Sequence, residues 1–201
     1  MSMSFDRKRE HETGPDDDRA DAELLARVRE ADREALHALY RKYYHPLLRF
    51  TYRLTGQLEI AQETVNDVML VVWRDAASFE GRSKVATWIM GIAYRKAMKR
   101  VRRAWLWSSR HVAEIDERFE RFSPEEAPTE RMELEDLLGR ALEALPAEQR
   151  AVVELTYFFG CSYDEIAKIV GCPVNTVKTR MFHARAKLKA LLPRLGKDSS
   201  R

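Results

Sequence analysis

The stretch that most constrains the fold of this chain is SYDEIAKIVGCPVNTVKTRMFHARAKLK, from Ser162 to Lys189. Ser162 stands three residues before Glu165, the spacing of a capping box, in which two side chains satisfy the free N–H groups at a helix start. The short helix predicted to follow ends at Gly171, where a left-handed backbone costs little. Pro173 prevents that helix from continuing, so we expect a second helix to begin directly after it.

The second predicted helix is apolar on one side and mostly basic on the others. Between Pro173 and Lys197 the chain holds seven lysines and arginines and no acidic residue. A surface of one charge sign is unfavourable unless it meets an opposite charge, such as the phosphates of a nucleic acid. Two short helices, a tight turn and a basic second helix indicate a helix-turn-helix, whose second helix lies in the DNA major groove. A basic helix merely packed on its neighbour is the simpler alternative.

The rest of the chain is also predicted to be helical. Its 201 residues suffice for one ordinary domain or two small ones. Apolar residues make up 45% and charged residues 33%, with only 8 glycines, which favours a helix-rich protein. No segment shows the alternation typical of a strand. We therefore predict an all-α fold of two small helical domains, a helical bundle and a helix-turn-helix domain, joined by a flexible linker.

Shifts in composition give the predicted boundaries. The first residues are polar and without period, which indicates disorder. An acidic stretch with two prolines separates the helical segments and has the composition of a linker. The predicted order is a disordered leader, a first helical domain, an acidic linker, the helix-turn-helix domain and a disordered tail, at residues 1–19, 20–107, 108–130, 131–195 and 196–201.

Two faces of the first domain carry unusual polar patterns. One predicted helix shows an acidic and amide strip that includes Glu63, Asn66 and Asp67, which is most simply a solvated face. The segment from Tyr94 to Arg110 contains seven basic residues and no acid, with aromatic residues between them. Such a surface suits single-stranded nucleic acid, because cations hold the backbone and aromatic rings stack on unpaired bases. A basic helix end favoured by the helix dipole is the alternative.

The sequence offers no sign of a metal site, a cofactor or a membrane segment. Cys161 and Cys172 are the only cysteines, and no histidine pair stands near them at zinc spacing. We expect both to be small buried side chains, with a redox response left open. No apolar run approaches the roughly 20 residues of a membrane span, and no signal-peptide core is present. We therefore expect a cytoplasmic protein without membrane insertion.

The order of segments from Ala35 to Leu192 resembles bacterial alternative sigma factors of the extracytoplasmic-function (ECF) group, in the sigma-70 family. Four segments carry the resemblance: LYRKYYHPLLRFTYRLTG, IAQETVNDVMLVVWRDAASF, FEGRSKVATWIMGIAYRKAMKRVRR and LEALPAEQRAVVELTYFFGCSYDEIAKIVGCPVNTVKTRMFHARAKLKALL. They resemble, in turn, the family's first long helix, its polymerase-docking helix, its promoter-melting loop and helix, and its sigma-four domain. The resemblance implies that residues 20–107 are a sigma-two-like domain and residues 131–195 a sigma-four-like domain.

The resemblance implies docking on core RNA polymerase, at the clamp helices of the largest subunit and the flap of the second-largest subunit. Four residues are implied in docking: Glu63, Asn66, Asp67 and Asp75. Asn66 and Asp67 stand where the family often has Gln and Glu. Each is one methylene shorter, and we expect docking to survive this difference.

The resemblance also implies that the loop of residues 79–84 captures a flipped base of the minus-ten element. The loop must offset an extrusion cost of a few kcal/mol. The helix after it would hold the melted strand. The residues implied here are Phe79, Gly81, Arg82, Ser83, Lys84, Trp88, Arg95, Lys96, Lys99, Arg100 and Arg103. Arg95 and Lys99 stand where the family often has Asn and Asp. We therefore expect melting by this domain to depend more on attraction to phosphates, and its base preference is left open. Trp88 also resembles a core tryptophan of the family, which gives it a second possible role in packing.

The second helix of the helix-turn-helix would read the minus-thirty-five element. The residues implied are Asn175, Thr176, Lys178, Thr179, Arg180, His183, Arg185 and Lys187. Arg180 and Lys178 are the best candidates for a guanine edge, where a bidentate contact discriminates by about 1–3 kcal/mol. Thr176 is better placed for a phosphate.

The partners implied are core RNA polymerase, promoter DNA in duplex and single-stranded form, and an anti-sigma factor that wedges between or wraps the two domains. Two rival hypotheses remain. A ligand-sensing helix-turn-helix regulator would explain only the last 60 or so residues. A helical enzyme acting on nucleic acid would need paired carboxylates, a nucleophile elbow or a phosphate-binding glycine loop, and the sequence has none of these. We therefore predict that the protein is not an enzyme.

Overall fold

The computed structural model describes residues 15–110 and 138–198, without the side chains of residues 15–16, 105, 107–110 and 193–198. Within these ranges the secondary structure consists of α-helices and one 3₁₀ turn, with no strand, which confirms the all-α prediction. The predicted linker lies almost wholly outside the described residues, as do the leader up to residue 14 and the last three residues of the tail.

The described residues form eight α-helices and one 3₁₀ turn, which are arranged in two modules. The first module contains α1 (Pro15–Arg29), α2 (Arg33–Thr55), α3 (Leu58–Asp75), a 3₁₀ turn (Ala76–Ser78) and α4 (Val85–Arg110). The second contains α5, described over residues 138–143, then α6 (Ala147–Tyr157), α7 (Tyr163–Val170) and α8 (Val174–Asp198). Helix α8 therefore continues three residues into the segment predicted as a disordered tail.

The first module packs α2, α3 and α4 around one apolar core. Asp32 caps α2 by accepting hydrogen bonds from the backbone N–H groups of Glu34 and Ala35, at 2.9 and 3.2 Å. Gly56 ends the same helix with a left-handed backbone, at a φ of 73°. The core side chains recur at helical spacing and are fully buried, among them Leu39, Leu47, Phe50, Val65, Val68 and Ile89. Hydrophobic periodicity alone predicts most of these positions.

Helix α1 is fixed to the module through a buried carboxylate. Asp21, only 1% exposed, accepts a hydrogen bond from the hydroxyl of Tyr43 and one of 2.7 Å from Nζ of Lys42. Burial of the ring and the bond to Asp21 raise the pKa of the Tyr43 hydroxyl above its ordinary value. The helix begins at Pro15, so the prediction of disorder through residue 19 is wrong for its last five residues. Asp17 and Asp18 of this segment pair with Lys42 of α2 and with Lys84 of the loop before α4, and the polar sequence alone does not show these partners.

The second module confirms the helix-turn-helix in detail. The capping box is present, with the Ser162 side chain accepting from the backbone N–H of Glu165 and the Glu165 side chain accepting from that of Ser162. Gly171 ends α7 in the left-handed region, at a φ of 68°. A small core of buried side chains joins α6, α7 and α8: Val152, Leu155, Ile166, Ile169, Val177 and Met181.

The two modules lie against each other, which nothing in the sequence predicted. Helix α7 packs on α4, and α6 packs on α2. The Phe50 ring of the first module meets the Phe159 ring of the second edge-on, with centroids 5.7 Å apart. Nη1 of Arg53 lies 2.8 Å from Oε1 of Glu154, whose side chain is fully buried. One apolar core thus runs through both modules.

We expect Asp21→Ala to lower the free energy of unfolding by about 1–3 kcal/mol, because the Tyr43 hydroxyl would lose its buried acceptor. Urea unfolding followed by far-ultraviolet circular dichroism measures this. The matched control is Asp17→Ala, which removes a carboxylate that is 54% exposed and 3.3 Å from the same Lys42. The control should change stability by less than about 0.5 kcal/mol. Equal losses in the two variants would contradict the role given to Asp21.

Candidate nucleic-acid and protein interfaces

Helix α8 divides sharply into an inward and an outward face. Val177, Met181 and Ala184 are at most 2% exposed and pack against α6 and α7. Most of the residues predicted to read DNA lie on the exposed side: Asn175, Lys178, Thr179, His183, Arg185 and Lys187. Thr176 is half-buried near the helix start. The helix therefore presents a polar, basic surface with the geometry expected of a recognition helix.

The position of Arg180 does not favour the prediction that this residue reads a guanine edge. Its guanidinium pairs with the Glu148 carboxylate of α6, and its side chain is only 21% exposed. Nη1 also lies 3.7 Å from Sγ of Cys172. The guanidinium is therefore held at the edge of the module core, and Lys178 is the better placed of the two candidates.

One exposed residue of this face was missed from the sequence. Phe182 is 70% exposed, three residues after Thr179 and beside His183, whose ring it meets edge-on. The sequence reasoning passed over it because it sought polar side chains. An apolar ring on a recognition helix can contact the methyl group of a thymine.

The loop of residues 79–84 joins the 3₁₀ turn to α4. Its Phe79 ring packs against Trp88 with centroids 5.5 Å apart, so Trp88 has at least a packing role. Nη2 of Arg29 donates to the carbonyls of Ala77 and Phe79, both at 3.1 Å. A cavity of about 340 Å³ lies between this loop and α1, lined in part by Phe79, Glu80 and Gly81.

The charged residues of the loop form ion pairs. Arg82 pairs with Glu80 in the loop itself, and Nζ of Lys84 lies 3.0 Å from Oδ2 of Asp18 in α1. Gly81 has a φ of 71°, in the region that favours glycine. Ser83 is half-buried.

Basic residues of α4 line a groove against α3, with a volume of about 950 Å³. They are Arg95, Lys96, Lys99, Arg100 and Arg103, and all five were predicted to hold the melted strand. Burial lowers the pKa of the Arg95 guanidinium. The side chains of the two tryptophans at 105 and 107 lie outside the described residues.

The groove brings together two surfaces that the sequence treated as separate. Arg100 donates to Oε2 of Glu63 at 2.6 Å and to Oδ2 of Asp67 at 3.2 Å. Nζ of Lys96 lies 3.6 Å from the same Asp67 oxygen. The hydrogen bond to Glu63 is the main cause that raises the pKa of Arg100. The acidic strip therefore partly neutralises the basic helix beside it.

The other residues predicted for docking remain on the surface of α3. Asn66 is exposed and accepts a hydrogen bond of 3.3 Å from the Tyr40 hydroxyl. Asp75 pairs with Arg74 at 2.9 Å, and this hydrogen bond lowers the Asp75 pKa. Leu70 is 59% exposed, one turn beyond Asn66, and was not predicted from the sequence. A large apolar side chain beside a polar strip adds a contact suited to a protein partner.

Within the described ranges no three histidine, cysteine or acidic side chains come together as a metal ion would require. No described helix is both long and apolar enough to cross a membrane.

We expect the Cys161 thiol to be alkylated by iodoacetamide at pH 8 roughly a thousandfold more slowly than a cysteine in a short peptide. Burial raises the pKa of Cys161 to about 12, so little reactive thiolate forms. Mass spectrometry of the peptide that contains Cys161 measures the rate. The same protein unfolded in urea is the control and should react at the rate of the free peptide. Rapid alkylation of the folded chain would contradict this and favour a redox role.

Comparison with known proteins gives matches to both modules. The family model for Sigma-70 region 2 matches residues 39–106, and that for Sigma-70, region 4 matches residues 135–188. The RNA polymerase sigma-H factor of Pseudomonas aeruginosa is 34% identical over 187 residues, covering 87% of this chain and 95% of that protein. The ECF RNA polymerase sigma factor SigM of Mycobacterium tuberculosis is 33% identical over 175 residues, covering 87% and 86%.

Among solved structures, the sigma factor RpoE of Bartonella quintana, in complex with the anti-sigma factor NepR, has a similar fold. Its TM-score is 0.65 at 25% sequence identity, covering 78% of this chain and 96% of that one.

Proposed function

Because the chain belongs to the ECF group of the sigma-70 family of transcription initiation factors, we propose that its surfaces divide three tasks between them. The exposed strip of α3 docks on the clamp helices of core RNA polymerase, and the second module contacts the flap. The loop of residues 79–84 and α4 bind the minus-ten element as single-stranded DNA. Helix α8 reads the minus-thirty-five element as duplex.

The observation that carries this proposal is the coincidence of matched regions with charged faces. Region 2 contains the basic groove of α4, and region 4 contains the basic outward face of α8. A regulator that merely senses a ligand would need only the second of these faces. The rival hypothesis of such a regulator is therefore not favoured.

Three further features follow from the same proposal. The protein has no enzymatic activity of its own, because its task is to bring polymerase to a promoter. It acts in the cytoplasm, where core RNA polymerase transcribes the genome. An anti-sigma factor controls it, as suggested by the solved complex of RpoE with NepR.

Run-off transcription on genomic promoter fragments tests the whole proposal. Core RNA polymerase and the purified protein are added together or separately. Transcripts that require both components, with start sites at a common pair of promoter elements, would support it. Tight binding of duplex DNA by the protein alone, with no new transcript, would instead favour the hypothesis of a ligand-sensing regulator.

We expect Asp67→Lys to weaken binding to core RNA polymerase at least about tenfold, because it reverses a charge at the centre of the docking strip. The control is Glu30→Lys, an equal change of charge at an exposed residue after α1 that lies outside every proposed interface. Binding is measured with labelled protein titrated with core polymerase. If Asp67→Lys bound like the control, the strip would be only a solvated face.

We expect Lys178→Ala and Phe182→Ala each to lower affinity for minus-thirty-five duplex about tenfold, through lost contacts to base edges. Both side chains are exposed, so the fold should not change. Arg33→Ala, the loss of one exposed positive charge at the start of α2, is the control. Fluorescence anisotropy with duplex carrying the mapped promoter, added to polymerase holoenzyme, measures the affinity. Unchanged binding in both variants would contradict the assignment of this face.

A further inference from the structure

We propose that α1 positions the loop of residues 79–84 for DNA, through Arg29 at one end of the loop and Asp18 at the other. The two residues hold the loop in one shape before any DNA is bound, and neither is among those that would contact the strand. The proposal rests on the proposed function, in which the loop binds the minus-ten element.

The loop depends on contacts with other elements for its shape. It lies between the 3₁₀ turn and α4 and belongs to no helix. A cavity of about 340 Å³ lies between the loop and α1, and Ala22, Leu25 and Ala26 line its α1 side. At Gly81 nothing lies within 4 Å of the place where a Cβ atom would stand. Side chains of α1 do not fill this space, so contacts at the two ends of the loop determine where it lies.

The start of the loop is held by Arg29, the last residue of α1. Its Nη2 donates to the carbonyl oxygens of Ala77 and Phe79, each at 3.1 Å. Hydrogen bonds from a charged donor are stronger than those between neutral groups. Ala77 belongs to the 3₁₀ turn and Phe79 directly follows it, so one guanidinium fixes the direction in which the chain leaves the turn.

The end of the loop is held by Asp18, about three turns before Arg29 on the same face of α1. Its Oδ2 lies 3.0 Å from Nζ of Lys84, the residue before α4. The hydrogen bond to Asp18 is the main cause that raises the pKa of Lys84, as a close ion pair would. One face of α1 therefore contacts both ends of the loop, with the cavity between the two contacts.

Helix α1 is itself fixed to the first module. Leu25 and Val28 are 1% and 2% exposed and belong to the apolar core. Asp21 accepts hydrogen bonds from two residues of α2. Because these contacts involve neither positioning residue, either one can be changed without releasing the helix. Exposed ion pairs contribute little to stability, so both variants should remain folded.

NMR relaxation of the full-length free protein measures whether α1 holds the loop. The backbone order parameters of residues 79–84 should be about 0.85 in the wild type, the value of a rigid backbone. In Arg29→Ala and in Asp18→Ala they should fall below about 0.6, the range of a flexible segment.

Two matched controls remove the same charges from the same helix without touching the loop. Arg19→Ala breaks an exposed pair with Glu23 of α1. Asp17→Ala removes a carboxylate that pairs with Lys42 of α2. Both controls should leave the order parameters of residues 79–84 at the wild-type values.

Discrimination by the polymerase holoenzyme measures what this positioning does for DNA binding. The probes are a single-stranded oligonucleotide with the mapped minus-ten element and one of equal composition with that element scrambled. Fluorescence anisotropy gives the ratio of the two affinities. Arg29→Ala and Asp18→Ala should each lower this ratio about fivefold or more, because a loop without a fixed shape loses contacts to bases before contacts to phosphates. A change of net charge alters the binding of both probes alike, so the controls should keep the wild-type ratio.

The outcomes separate this proposal from the proposed function. Loss of order in the loop together with a smaller ratio, in both variants and in neither control, would establish it. Unchanged order parameters in both variants, or lost order with an unchanged ratio, would overturn it. The NMR measurement needs neither polymerase nor promoter, so it tests the hold of α1 on the loop even if the wild-type protein gives no run-off transcript.

Discussion

Helix α4 is the element on which the rest of the structure depends, because it packs against the helices of both modules. On one side Ile89, Ala93 and Ala97 complete the bundle with α2 and α3, and on another Met90 and Tyr94 lie beneath the second module. A helix that is covered on two sides has little surface left for water, which explains why its residues 85–94 are buried or half-buried. Five of the basic residues that follow line the groove beside α3.

Local patterns account for what the sequence could predict. Hydrophobic periodicity, the capping box at Ser162 and the left-handed glycine at 171 each depend on residues within a turn or two, and each is found in the structure. The pairs that were missed join residues far apart in the chain. Arg180 and Glu148 are separated by 32 residues, Arg100 and Glu63 by 37, and Arg53 and Glu154 by 101. No spacing rule connects such positions, so the sequence shows a charge and not its partner.

These ion pairs reduce the net positive charge of the basic surfaces. In the sequence, α4 and the part of α8 up to residue 197 contain basic residues and no acid, a composition that suits binding to phosphates. In the fold, Glu63, Asp67 and Glu148 already stand beside their cations. Under the proposed function, nucleic acid that binds these residues displaces carboxylates as well as counterions. Displacing the carboxylates lowers the affinity for arbitrary DNA more than the affinity for a promoter, because only the promoter adds base contacts. The ion pairs therefore favour discrimination between sequences over high affinity.

The pair of Arg53 and Glu154 has a consequence for exchanging parts between relatives. Hybrid factors are made by joining the first module of one protein to the second module of another. A hybrid that receives Glu154 without an arginine at position 53 would bury a lone carboxylate at the junction, and its halves would no longer settle in one position. Arg53 and Glu154, at the boundary of the two modules, thus limit which modules can be combined, rather than the linker that joins them.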